Sequence, residues 1–347
     1  MNKALQKRSL SAAWLAIAIA HSTSAFAVLT MDYVSVGHAG NAADPTTGFG
    51  AVAYDYQIGK YEVTNAQYGV FLNAVDPGGT NTKDVYNANM GSNARGGITY
   101  TAGAASGAKY TIRTNMGDKP VNFVSWYDAA RFTNWLHNGQ GSGSTETGAY
   151  TLDLNIGLIT KNVGATVYLP SENEWYKAAY YDPTPGAGGG DNYWAYATQS
   201  NTAPTVATAD ATGVISNTGA NVVNYNWGAG WNSQYGNVTT VGSAAAVNYF
   251  GTADQGGNLY EWNDAVIGSS RGLRGGSWNN NSFLIAASSR YDDAPAFAFD
   301  FVGFRVASVA SVPVPEPSTF LPAALLVMGA LLRRRRPRSH RSGRATA

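Results

Sequence analysis

The side chains able to do chemistry in this 347-residue chain are few, and their types narrow the choice. There is no cysteine, which removes disulfides, thiolate metal sites and cysteine nucleophiles together. Between residues 28 and 311 the histidines are His38 and His137, too few for a three-histidine metal site. His137 closes a predicted helix, where an imidazolium suits the helix dipole. Glu172 and Glu174 stand two apart on another predicted helix and so do not face each other; Glu174 reads as a cap. Asp292-Asp293 follow Arg290 in a loop. A glycosidase needs two carboxylates set across a cleft, and no spacing here marks such a pair. The densest polar run is Asp254-Gln255-Gly256-Gly257-Asn258-Leu259-Tyr260-Glu261-Trp262. Trp227, Trp231 and Tyr235 lie among Gly and Asn in a long loop, where aromatic rings can stack on sugars. Trp126, Trp135, Trp175 and Trp262 fall on predicted elements or motifs and are assigned to the core.

These groups must be held by a scaffold with little regular structure. Charged residues are 13%, aromatics 12%, and 40 residues are glycine. Such a chain is neither disordered nor a coiled coil. The pattern predicts a helix over 64–75, with Thr64 and Gln67 as a capping box and Tyr68, Phe71, Leu72 and Val75 on one face. A second helix is predicted over 125–138 from Ser125, and a third over 171–181, with Ser171 and Glu174 as its box and Asp182-Pro183 as its stop. Short strands are predicted at 54–63, 165–170, 273–278 and 302–308. The Gly- and Asn-rich stretches at 87–108, 139–148, 184–192 and 198–240 read as long loops within one domain.

Both ends read as addresses. Residues 1–27 form a signal peptide: Lys3, Lys7 and Arg8, then an apolar run over 10–20, then Ala25-Phe26-Ala27 before a cleavage site at Val28. At the other end Val314-Pro315-Glu316-Pro317 precedes an apolar run, 320–332, and an arginine cluster, Arg333 to Arg336 with Arg338. An apolar helix with arginines behind it is a stop-transfer pattern by the positive-inside rule. The order within 312–338 resembles the PEP-CTERM sorting signal; a basic tail, 339–347, follows. That resemblance implies Sec export in a Gram-negative bacterium, processing of the tail by an exosortase, transient membrane tethering through the C-terminal helix alone, and delivery to the outer surface or matrix. Three of the 23 basic residues lie in the first segment and seven in the last, against one of the 22 acidic ones. The middle of the chain is therefore acidic, which argues against nucleic acid as a partner.

Four segments then line up in order: IGKYEVTNAQYGVFLN (58–73), PVNFVSWYDAARFTNWL (120–136), YLPSENEWYKAAYY (168–181), and the run from GTADQGGNLYEWNDAV through LRGGSWNNN and SSRYDD to VGFRVA (251–307). Together they resemble the formylglycine-generating enzyme, or sulfatase-modifying factor, domain. The resemblance implies a single loop-rich α+β domain of the C-type-lectin type over 51–308, after a lead-in of 28–50.

The departures from that family bear on function. Its oxidase binds copper through two cysteines, which fall here at Asn280 and Ile285, and neither side chain is a soft ligand for Cu(I). Ser277 matches an active-site serine but stands without those cysteines. The sulfoxide-synthase branch uses a histidine-rich iron site that this chain lacks. The family's calcium loop maps to Asp254 and Glu261 as side-chain ligands, with the carbonyls of Gly257 and Leu259. The alternative is that Glu261 pairs with Arg274 or Arg305. A second calcium site would use Asn221 and the Val222 carbonyl. The region 278–305 also resembles lectin-type receptors diversified by retroelements, which makes Asn279, Asn280, Asn281, Arg290 and Tyr291 candidate ligand contacts beside Trp227, Trp231 and Tyr235. The expectation is a non-catalytic surface or matrix protein that binds a polysaccharide or a protein, with Ca²⁺ and without copper, haem or nucleotide. The competing expectation is an enzyme of the same superfamily with non-cysteine chemistry.

Overall fold

Three helices begin where a hydroxyl side chain can take up a backbone N–H. In α1 (Asn65–Val75) the cap is Thr64, boxed with Gln67. After a single turn, α2 (Asn89–Ser92), comes α3 (Trp126–His137), capped by Ser125 and boxed with Asp128. The last, α4 (Glu172–Tyr180), is capped by Ser171 and boxed with Glu174. Each box satisfies backbone donors at both of its residues, worth about 1 kcal/mol per cap. The computed structural model describes residues 28–153 and 158–310. Residues 1–27, expected to be a signal peptide, and 312–347, expected to be a sorting signal with a basic tail, lie outside the described residues.

The strands are short. In chain order they are β1 (Tyr33–Val36), β2 (Tyr56–Gly59), β3 (Ile98–Tyr100), β4 (Tyr110–Ile112), β5 (Val167–Tyr168), β6 (Thr205–Val206), β7 (Val222–Val223), β8 (Tyr260–Ile267), β9 (Ser270–Arg274), β10 (Tyr291–Asp293), β11 (Val302–Phe304) and β12 (Ala307–Val309). One sheet has the order β1-β2-β12-β5 and is antiparallel throughout. The other has the order β10-β9-β8-β11, with β11 parallel to β8. Two hairpin-sized pairs, β3-β4 and β6-β7, complete the described sheets. The result is an α+β domain with few helices and much loop. The stretch before residue 51 is part of it, because β1 pairs with β2.

The core sits between α1, α3 and the sheets. Tyr68, Phe71, Phe132, Trp135 and Phe304 are buried and touch through tilted and edge-on rings. Such geometry suits ring quadrupoles, and each buried ring contributes about 2–3 kcal/mol. Trp126 and Trp262 cross-tie α3 to the second sheet: Trp126 Nε1 donates to Asn263 O and Trp262 Nε1 to Val124 O.

The strand β8 has eight residues and was not expected as a strand. Its first four residues are all buried, so its sequence lacks the alternation that marks a half-exposed strand. Within the stretch 79–118 the β3-β4 hairpin brings Tyr100 and Tyr110 together, and Tyr86, which precedes it, packs on both rings.

Candidate functional site

The chain leaves β9 through Gly275 and Gly276, at φ +94° and +68°, and turns into Ser277-Trp278. The turn is closed by amides. Asn280 Oδ1 accepts from Ser277 N and Oγ, both at 2.8 Å, and Asn279 Oδ1 accepts from Ser277 Oγ at 2.7 Å. Asn281 Oδ1 in turn accepts from the N–H groups of Phe283 and Leu284. Ser277 is fully buried and acts as a turn residue. Ile285 is 1% exposed and packs with Val223 and Tyr225. Both positions expected to have lost a copper ligand are thus filled by side chains that shape or fill the structure.

A second loop lies against this turn. Asn226 N donates to Asn280 O, and Trp227 N to Trp278 O. The Trp227 ring meets the buried Trp278 edge-on at 4.8 Å and runs nearly parallel to Tyr235, 16° apart with centroids at 6.0 Å. Trp227 is 38% and Tyr235 79% exposed. Gly236 makes the approach possible: a Cβ there would meet Trp227 Cα and Trp278 Cε3 at 3.0 Å. Asn226, Trp227, Asn232 and Ser233 all have positive φ, Trp227 at +62°. A tryptophan in the left-handed region is costly, and such strain clusters where a side chain must be held for a task.

The platform has a charged side. The Arg95 guanidinium stacks on Trp278 at 4.2 Å, pairs with Asp300 at 3.4 Å, and donates to the carbonyls of Tyr235 and Gly236. Trp278 Nε1 donates to Asp300 O. Arg95 and Asp300 had no local signal in the sequence.

The other expected ligand contacts are dispersed. Trp231 is buried at 7% exposure, sits in a small core with Met116, Val238, Leu259 and Trp278, and donates Nε1 to Val238 O. It supports the platform from beneath, so of its two expected roles, ligand contact or core, the burial fits the core. Arg290 is drawn to Glu172 by two hydrogen bonds, at 2.7 and 2.8 Å. Tyr291 is 45% exposed on β10 and packs on Tyr260.

Glu174 takes N–H and O–H donors from Ser171, Tyr54 and Tyr168, and Glu172 is bound by Arg274 and Arg290. Neither is poised for acid–base work. His137 Nδ1 accepts from Thr166 N, which ties the end of α3 to the start of β5. Among the described residues, no group of three or more His, Cys, Asp or Glu side chains is placed to hold a metal ion.

Beneath the platform lies the loop expected to bind calcium. Asn258 is its hub, buried and at φ +57°. Its Oδ1 accepts from Thr239 N and Asn224 Nδ2, its Nδ2 donates to Glu62 Oε2, and its carbonyl accepts from Trp278 N. Asn258 is not in the expected ligand set; its signal in the sequence is a polar residue that follows two glycines.

The fit to Ca²⁺ divides by residue. Asp254 is half-buried and borders a cavity of about 10 Å³, one water in size, together with Thr198 and Val222. Asn221 Oδ1 accepts from that same Thr198 at 2.6 Å, so one small cavity draws on both expected sets. Glu261, by contrast, is already compensated. Arg305 grips its two oxygens at 2.6 Å each, and Trp175 Nε1 donates at 2.7 Å.

The acids around Arg305 outnumber it. Burial pushes Asp254 up to about 6; Gly242 N–H and Arg305 oppose this, and Glu261 adds to it. Burial, with the charges of Asp254 and Glu261, holds Glu62 well above the usual carboxylate range, and its Oε1 has no hydrogen-bond partner. Burial likewise raises Asp128 to about 6. In all three the folded state holds a proton that the unfolded chain releases near pH 4. Stability is therefore expected to fall as pH rises from about 4 through 6, by about 3 kcal/mol for a two-unit shift. Glu172 works the other way. Burial opposes its ionisation, Arg290 and Arg274 overcome that, and its contribution is lost only in stronger acid. Urea denaturation in EDTA should give a higher midpoint at pH 5 than at pH 8; a flat or rising profile would contradict this assignment.

Residues 35–310 match the model of the family described as the sulfatase-modifying factor enzyme 1-like domain. No curated protein matches the chain in sequence. Among solved structures, the chain is similar to Treponema denticola variable protein 1, with 19% identity, 80% of this chain and 95% of that one covered, and a TM-score of 0.48. It is similar to CarF, at 22% identity, with 82% and 100% covered and a TM-score of 0.48. It is also similar to PvdO from Pseudomonas aeruginosa, at 19% identity, with 81% and 93% covered and a TM-score of 0.40.

Proposed function

We propose a binding role for this chain, which belongs to the sulfatase-modifying factor enzyme 1-like domain family. The protein uses that scaffold to hold an extracellular polysaccharide rather than to oxidise a cysteine. The observation that carries the reading is Trp227, held at φ +62°, exposed, and nearly parallel to an even more exposed Tyr235. A sugar ring presents axial C–H groups to such faces and hydroxyls to the sides. Here the Nδ2 groups of Asn279, Asn280 and Asn281 are the adaptable donors, while their Oδ1 atoms fix the turn. Rigid rings with adaptable amides give contact area at low entropic cost. The positions that would distinguish an oxidase, Asn280 and Ile285, serve the turn and the core.

Calcium enters this reading as a structural ion. Asp254, with the carbonyls of Gly257 and Leu259, would hold it, and Ca²⁺ accepts such mixed oxygen sets. Its charge would compensate the excess of buried carboxylates beneath the platform. In the cell, the signal segment and the sorting tail would bring the protein, through an exosortase, to the outer surface or matrix.

The test is a titration of the purified protein against exopolysaccharide from an exosortase-bearing host, in Ca²⁺ and in EDTA. Saturable binding that weakens in EDTA is the expected result. No saturable binding in either buffer, or mass-spectrometric detection of cysteine oxidation in a peptide substrate, would overturn the reading.

A further inference from the structure

The hairpin end of β8-β9 holds a cavity of about 330 Å³, within the range that accommodates small ligands. It lies at the opposite end of β9 from Trp278. Its walls are mostly apolar, from Tyr127, Leu158, Val266 and Pro295, and its polar side is Ser270 and Arg271. Two features of β8 and β9 shape it. The strands join through a two-residue turn, Gly268-Ser269, with Gly268 at φ +60°, a hairpin geometry that glycine favours. The register of β8 also slips between Trp262 and Val266, and such bulges re-aim side chains beside sites.

Arg271 is the group that gives the cavity a chemistry. It is 5% exposed, and its guanidinium lies 3.7 Å over the Trp126 ring, which fixes its plane. Nη2 donates to Ile159 O. Nη1 reaches Asp264 only at the long limit of hydrogen bonding, 3.4 Å to the carbonyl and 3.5 Å to Oδ1. A buried, pre-oriented guanidinium with a weakly held carboxylate partner can receive a better one.

We propose that this cavity is a second binding site, independent of the Trp227 platform, for a compact ligand with an apolar body and one carboxylate directed at Arg271. Tyr127, Val266 and Pro295 take the apolar body, and the Ser270 hydroxyl borders the carboxylate. Phenylacetate is a suitable probe, with phenylacetamide as its neutral match. Titrated into the purified full-length protein and followed by NMR, phenylacetate should saturate and bind about tenfold more tightly than the amide, one charge-assisted hydrogen bond's worth. Val266→Trp, which fills the cavity from a position 37% exposed, should abolish this binding while the protein still melts cooperatively. Equal affinity for acid and amide, no saturation by either, or binding that survives Val266→Trp would each overturn the proposal. Should Val266→Trp fail to fold, the acid–amide comparison on the unaltered protein still decides the matter.

Discussion

Replacing Glu261 by alanine is expected to cost about 3–5 kcal/mol of stability, because buried Arg305 loses the carboxylate that hydrogen-bonds it, while Glu62 and Asp254 act on it only through their charges. Both side chains are 0% exposed. Their position makes the loss larger than a local one. Glu261 lies on β8 of the second sheet, and Arg305 lies between β11 and β12, where the chain passes from that sheet to the other. Arg305 also donates to the carbonyls of Gly59, Lys60 and Ala253, so one guanidinium joins both sheets and the loop before Asp254. Domains of this size carry about 5–15 kcal/mol in total, so the variant should melt many degrees lower or fail to accumulate. The paired change Glu261→Leu with Arg305→Met should recover only part of the loss, since it removes the unpaired charge but leaves Trp175 Nε1 and the carbonyls of Gly59, Lys60 and Ala253 without their partners. Urea denaturation of the three proteins checks both statements. A Glu261→Ala cost below about 1 kcal/mol would show that the pair does not hold the sheets together.

The second large effect concerns binding. Tyr235→Ala and Trp227→Ala should each weaken polysaccharide binding about 30-fold, as for central aromatic residues in other interfaces. The two substitutions separate binding from folding. Tyr235 is so exposed that its removal should leave the melting temperature nearly unchanged. Trp227 packs on Trp278, and its removal should cost some stability as well.

The elements with local signals were legible before the structure. Thr64, Ser125 and Ser171 marked three helix starts, and both expected capping boxes are formed, with a third at Ser125 and Asp128. The assignment of Trp126, Trp135, Trp175 and Trp262 to the core also agrees with their burial. What escaped depends on distant partners. Strand β8 is covered on both faces at its start and so lost its alternation. Trp231 has Gly and Asn neighbours that suggest surface, yet Val238, Met116 and Leu259 bury it. Arg95 reaches the platform across 205 residues of chain to Asp300, and nothing near either residue announces the contact. Of the expected ligand contacts, the structure gathers Trp227, Tyr235 and Asn279 to Asn281 around Trp278, while Glu172 draws Arg290 away. The sequence around Glu261 allows a calcium role or an arginine partner; the geometry pairs it with Arg305.

The proposed binding face sets Trp227 and Tyr235 beside the Ser277–Asn281 turn. The most direct measurement is isothermal titration of host exopolysaccharide fragments into the wild-type protein and the Trp227→Ala/Tyr235→Ala double variant, in the same calcium buffer. The expected result is a saturable isotherm for the wild type and none for the variant at the same concentrations, with both proteins folded. An isotherm unchanged by the double substitution would place the ligand elsewhere and contradict it.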